Sequence, residues 1–199
     1  MNAIDRRLVF YQGQHVILKV LTERDVRDSP WVGWFNDDEL CEHNLHHFFP
    51  NTFERQLEHW KNAVGDRKIQ LGVVAPHLDD ELCGVISLQD IDWIHRRADL
   101  AVLLDHRRTR QHPWVFIEAW SLMLTHAFRA LNLHKVCAGT FNPFVAPPLR
   151  SIFNFEVEAV LKKHVWKSGS FHDITLLGVL STTVRYPSIP PGGGTAAHE

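Results

Sequence analysis

The stretch from Gly84 to Lys135 limits the folds open to this chain more than any other. It opens on a hairpin, GVISLQDIDWIHRRADLAVLLD, passes through a short basic turn, HRRTRQHP, and continues into one long helical pattern, WVFIEAWSLMLTHAFRALNLHK. Over Trp114 to Leu131 only Glu118, Ser121, Thr125 and Arg129 form a polar stripe, so this helix is buried on most sides, as expected for one laid across a sheet. A strand delivered through a cationic turn onto a helix N-terminus also builds an anion site, because the first helical N–H groups lack internal acceptors and the helix dipole is positive there.

Around this unit the rest of the chain reads as more of the same sheet. His15 to Leu21 is a strand entered through the Gly13 turn, and Thr22 caps a short helix. Pro30 to Glu42 reads as a helix with Trp31, Trp34 and Phe35 on one face. Asn51 or Thr52 caps another, in which Phe53, Leu57, Trp60 and Val64 recur at helical spacing. Strands follow at Lys68 to Ala75, Glu81 to Ile91 and Asp99 to Asp105, with Gly84 as a close-packing or bulge residue. After the long helix, Lys135 to Phe141 is a strand arriving by crossover, hence parallel to the one before the helix. A short helix at Leu149 to Asn154 and strands at Glu156 to Trp166 and Ile174 to Leu180 complete the pattern. Residues 1–183 are expected to form a single domain, and 184–199 a disordered Pro/Gly-rich tail.

Composition narrows the function. A hydrophobic content of 45% in 199 residues suffices for one packed core. A formal charge of −2 argues against a general nucleic-acid binder, and no segment approaches the ~20 apolar residues of a membrane span. Cys41, Cys83 and Cys137 show no pairing pattern, which fits reduced thiols and a cytoplasmic location. His43 and His47 have the i, i+4 spacing of helical zinc ligands, but no acidic partner follows at a familiar spacing and no metal is expected.

Several fragments in order resemble one superfamily. Trp31 and Trp34 with Asn36-Asp37, then Phe49-Pro50-Asn51-Thr52, CGVISLQDID, EAWSLMLTHAFRALNLHKV, Asn142 and SGSFHDITLLGVL are similar to the GNAT N-acetyltransferases. The likeness is to the branches that acetylate ribosomal proteins and the amino groups of nucleotide-linked amino sugars. It implies an α/β (α+β) fold: a mixed, mostly antiparallel twisted sheet of about seven strands flanked by about four helices.

The resemblance also implies acetyl-CoA as co-substrate, in a cleft where the strand of Val102, Leu103 and Leu104 parts from the strand after the long helix. The pyrophosphate would then meet the turn of Arg107, Arg108, Arg110, Gln111 and His112, and Asn142 the pantetheine arm. The family's two loop glycines are replaced here by His112 and Trp114 around Pro113, so side-chain cations would supply what glycine backbone supplies elsewhere. Asp90 and Asp92 are candidate bases, and Asp99 lies near the same mouth. Ser151 is the nearest hydroxyl for the leaving thiolate, and Trp31, Trp34, Phe48 and Phe49 are candidates to stack on the acceptor.

The expected function is acetyl transfer to a primary amine of a small molecule, with a nucleotide-linked amino sugar preferred. N-terminal acetylation of protein, as in the ribosomal branch, is the alternative within enzymes. A binding or regulatory module that has lost the cofactor is the alternative outside them. A homodimer is compatible with each.

Overall fold

A computed structural model describes residues 5–63 and 65–191 of the 199-residue chain. The strands are β1 (Val9–Gln12), β2 (Ile17–Val20), β3 (Ile69–Val74), β4 (Leu82–Asp92), β5 (Arg97–Leu104), β6 (Lys135–Thr140), β7 (Glu156–Lys167) and β8 (Ser170–Leu180). They form one sheet in the order β1-β2-β3-β4-β5-β6-β8-β7. Every neighbouring pair is antiparallel except β5 and β6, which the crossover makes parallel. The connections carry α1 (Glu23–Asp28), α2 (Trp31–Trp34), α3 (Asp38–Cys41), α4 (Phe53–Lys61), α5 (His106–Thr109), α6 (Pro113–Thr125) and α7 (Ala146–Phe153).

The sheet separates two apolar layers. On one face α6 contributes Val115, Ala119, Trp120, Met123 and Leu124 to the main core, against Ile86, Leu88, Leu100 and Val136 of the central strands. On the other, α1 to α4 cover a smaller cluster containing Val26, Trp31, Trp34, Leu40 and Val85. Gly84 sits opposite Leu104, where a Cβ would come within 2.7 Å of the Leu103 carbonyl, so close packing of β4 on β5 is what requires glycine there.

Four local readings differ from the sequence expectation. The strand β1, only four residues long and alternately half-buried and exposed, adds an edge that raises the count to eight. Pro30 to Glu42 is not one helix. Asp37 takes an extended conformation and caps α3 by accepting from Leu40 N, which divides the segment into two single turns. The long helix passes at His126–Ala130 into a wider π-type turn before Asn132, at φ 53°, ends it. The helix α7 begins at Ala146 because Pro147-Pro148 are accepted in its first turn, and Asn154 at φ 66° closes it.

The described part of the expected tail is held against the body. Val184 packs on the main core, Arg185 N donates to Phe153 O at 3.2 Å, and Pro190 O meets His15 Nε2 at 3.1 Å. Val64 and the residues beyond 191 lie outside the described residues.

One charge is buried in α6. The Glu118 carboxylate, at 4% residue exposure, accepts from the backbone N–H groups of Gln14 (2.7 Å), His15 (2.6 Å) and Val16 (2.8 Å). The turn before β2 is thereby fastened to the long helix, and a Cβ on Gly13 would lie 2.5 Å from that carboxylate. Replacing Glu118 with Gln turns one of the two acceptor oxygens into an NH2 group, which then faces one or two of these donors. Urea unfolding of Glu118→Gln is expected to show a loss of about 3 kcal/mol, as for other charged hydrogen bonds broken in a core.

Candidate active site

The strands β5 and β6 pair only at Arg97, Ala98 and Asp99, opposite Lys135, Val136 and Cys137. Beyond that point each keeps its other neighbour: β5 continues on β4 to Leu104, and β6 continues on β8 to Thr140. Leu100 to Leu104 therefore present one unpaired backbone edge to a wedge that widens toward α5 and α6. Such an edge is a row of donors and acceptors ready for an extended ligand. Val102, Leu103 and Leu104, expected on sequence grounds, lie on this edge. Asn142 stands at the far lip, where its side-chain oxygen accepts from Phe144 N at 2.9 Å and shapes the turn into α7.

The turn at the open end of the wedge is compact. Asp105 accepts from the backbone of Arg107 and starts α5. Arg107 is engaged by Asp37 at 2.7 Å, and Arg108 donates to the carbonyls of Leu78 (2.8 Å) and Leu82 (3.2 Å). These two arginines hold the turn in place. Arg110 and Gln111 are exposed, and among the described residues Arg110 has no acidic partner within 4.0 Å. The N–H groups of Arg110 and His112 bond back to His106 and Thr109, while those of Gln111 and Trp114 find no acceptor among the described residues. The Trp114 indole stacks on His15, ring centroids 5.9 Å apart, and so turns toward β2, three strands from β5. His112 leans against His77 at 4.5 Å on that same side.

Carboxylates gather at the closed end. Asp90, Asp92 and Asp99 line a cavity of about 160 Å³ with Arg67 and Arg97. A bulge between Gln89 and Asp92, with Asp90 at φ 49°, displaces the simple alternation expected for QDID. Asp92 is held below the usual carboxylate range chiefly by the His95 N–H, at 2.9 Å. Asp99 goes the other way: loss of solvation against the hairpin, then the like charge of Asp90, raise its carboxyl. It belongs to the last residue pair before the strands part, on the face away from α6. Ser151 is exposed and its hydroxyl donates to Pro147 O at 3.0 Å within α7.

A second concavity, about 210 Å³, lies between the loop before α4 and α4 itself, with Phe35, Phe48 and Phe49 on its walls. Phe48 and Phe49 are 51% and 73% exposed, whereas Trp31 and Trp34 are 0% and 2% exposed and lie in the core beneath. The tryptophans therefore support the pocket and cannot stack on its contents, a correction to the sequence expectation. His43 falls in a turn and His47 in irregular backbone at φ 67°, neither on a helix, so the i, i+4 geometry of their spacing is not formed.

An acetyltransferase (GNAT) domain profile matches residues 15–142. The chain belongs to the GNAT acetyltransferase family. YdaF of Bacillus subtilis (strain 168), named as a ribosomal N-acetyltransferase, is 26% identical over 131 residues, covering 64% of this chain and 68% of its own length. The crystal structure of the spermidine N-acetyltransferase of Vibrio cholerae in complex with CoA and spermine shares the fold at a TM-score of 0.75 and 18% identity, covering 86% of this chain and 98% of that one. A dodecameric structure of the Vibrio cholerae spermidine N-acetyltransferase in an intermediate state gives 0.68 and 19%, with 85% and 96% covered.

Acetyl-CoA is the co-substrate of the GNAT family, and beside the α6 N-terminus this domain presents an unpaired β5 edge, two amides without an acceptor among the described residues, and an indole turned toward β2. Sequence reasoning missed Lys167 and Gln56, whose place near the second concavity depends on contacts between distant elements, and it weighed Asp99 below Asp90 and Asp92. The raised carboxyl of Asp99 contributes stability fully below its ordinary value of 3.8 and loses it as pH rises through the folded-state value. Asp99→Asn should therefore be more stable than the parent chain in urea at pH 7, with the gap closing as the medium approaches about pH 4.

Proposed function

We propose that this protein is an acetyl-CoA-dependent N-acetyltransferase acting on a primary amine of a small molecule, with a nucleotide-linked amino sugar as the preferred acceptor class. The parting of β5 from β6 after Asp99 carries the reading, because it leaves an extended backbone edge that ends at a basic turn and a helix N-terminus. In this reading Leu100 to Leu104 bind the pantetheine arm through backbone groups. The Arg110 guanidinium and the amides of Gln111 and Trp114 hold the pyrophosphate, and Asn142 borders the arm. Arg107 and Arg108 act as positioning residues for that turn.

The acceptor approaches from the face opposite α6, where Asp99 projects beside the apex of the wedge. Its amine attacks the thioester carbonyl, forming the C–N bond as the C–S bond breaks. The ammonium gives one proton to a carboxylate before attack, and the second proton that the nitrogen sheds as the amide forms passes to the departing thiolate. Asp99, with Asp90 beside it, suits the base better than Asp92, whose hydrogen bonds favour the ionised form and lower its basicity. The runner-up acceptor, the N-terminus of a ribosomal protein, draws support from the name of the Bacillus relative.

Titration with acetyl-CoA during thermal unfolding tests the reading. A ligand bound to the native state alone adds about 2.7 kcal/mol of stability at a hundredfold excess over its Kd. No shift at millimolar acetyl-CoA would favour the non-enzymatic module. Asp99→Asn should lower kcat by about two orders of magnitude or more while Kd for acetyl-CoA is unchanged. Comparing a UDP-linked amino sugar with peptides bearing ribosomal-protein N-termini as acceptors separates the two substrate readings.

A further inference from the structure

The concavity in front of α4 is lined by aromatic rings, amides, imidazoles and Arg55, and by no carboxylate. Against the His46 and Phe48 wall of this concavity, though not among its lining residues, the tip of the β7–β8 hairpin places Lys167, which is only 5% exposed. Its ammonium donates to His46 O at 2.7 Å and lies 5.0 Å from the centroid of the Phe48 ring. Among the described residues no carboxylate comes within 4.0 Å of it, whereas Lys19, with a side chain 13% exposed, has Asp25 at 2.7 Å. A buried ammonium with one hydrogen bond and no counter-charge is costly unless something else supplies the charge.

The neighbouring groups point the same way. Loss of solvation, then the positive groups at His59, Lys167 and Arg55, lower the His46 imidazole, and His46, His59 and Arg55 line the same concavity. Gln56 is 2% exposed; its Oε1 accepts from Asn51 Nδ2 at 3.0 Å, and its Nε2 has no acceptor. Asn51 Nδ2 also donates to Val32 O at 3.2 Å, which fixes the amide orientations and leaves Gln56 with a spare donor. Further in, the only unpartnered buried side-chain oxygen among the described residues is Gln70 Oε1. Gln70 on β3 faces Ser87 on β4, which faces Ala101 on β5. This row crosses roughly 10 Å, two strand spacings, toward the edge where acetyl transfer is read. Donors and cations therefore lie at the outer end and acceptors at the inner end.

We propose that the concavity binds the phosphate or diphosphate of the acceptor through Arg55 and the Gln56 amide, with the Lys167 charge behind its His46 and Phe48 wall, so that the acceptor is an amine joined to a phosphate and not a polyamine. The proposal rests on the acetyl-transfer reading above and gives its acceptor site a chemistry. The polyamine named with the Vibrio structural relative is a polycation, which a pocket with this lining repels.

Isothermal titration of the CoA-saturated protein with UDP, glucosamine 6-phosphate and spermidine decides it, with CoA filling the other diphosphate site. At least one phosphate probe is expected to bind, more weakly at 200 mM than at 50 mM salt, roughly as screening of exposed charge dictates. UDP binding without glucosamine 6-phosphate binding assigns the nucleotide as the source, and the reverse assigns a sugar phosphate. Arg55→Gln, at an exposed position that leaves the fold intact, should weaken the binding about tenfold, and Lys167→Met, acting through its charge behind the wall, by a smaller factor. Absence of heat with both phosphate probes, binding unchanged in Arg55→Gln, or tighter binding of spermidine would overturn the proposal. Should CoA itself not bind, the acetyl-transfer reading fails separately, and the same probes and Arg55→Gln on the free protein still decide the pocket.

Discussion

The structure depends on two strands that begin as partners and then separate. From Asp99 onward β5 belongs to β4 and β6 belongs to β8, and each remains fully paired on its outer side. The sheet loses only one ladder, and the backbone groups on either side of the wedge remain unpaired. In a β-sheet an edge of this kind invites whatever extended chain can reach it. Here the edge ends at the N-terminus of α6, the long helix packed across the sheet, so a ligand with an extended arm and an anionic end finds both requirements in line.

That alignment needs the helix held in register with the strands. Glu118 does this from the middle of α6 by gathering three amides of the turn before β2, and Gly13 is the residue whose lack of a side chain admits the carboxylate. Arg108 does it from the connecting turn by bonding the carbonyls of Leu78 and Leu82, and Arg107 ties the same turn to Asp37 between α2 and α3. A basic turn that reads in sequence as a phosphate site is thus partly a structural clamp. The remaining donors, Arg110 and two backbone amides, are fewer but unoccupied by protein.

Much of this was legible in the residues. The alternation and turn signals located most of the strands and the crossover helix, because apolar periodicity reports burial directly. The parallel β5–β6 pair followed from the crossover. What escaped was fixed by contacts between distant segments. The strand β1 is too short and too apolar along VFYQ to show its alternation, and the break at Asp37 arises from a cap competing with helical propensity. Trp31 and Trp34 read as pocket walls by residue type, yet the packing of α2 buries them. Lys167 looks in sequence like any hairpin-turn lysine, and only the loop of His46 to Phe48 folding over it makes its charge unusual.

Amide hydrogen exchange with and without saturating acetyl-CoA tests the central claim most directly, because it reads the unpaired edge itself. The account predicts added protection at Leu100 to Leu104 and at Gln111 to Trp114, with little change along β7 and β8. Acetyl-CoA that binds but leaves the exchange of Leu100 to Leu104 as it was would contradict it.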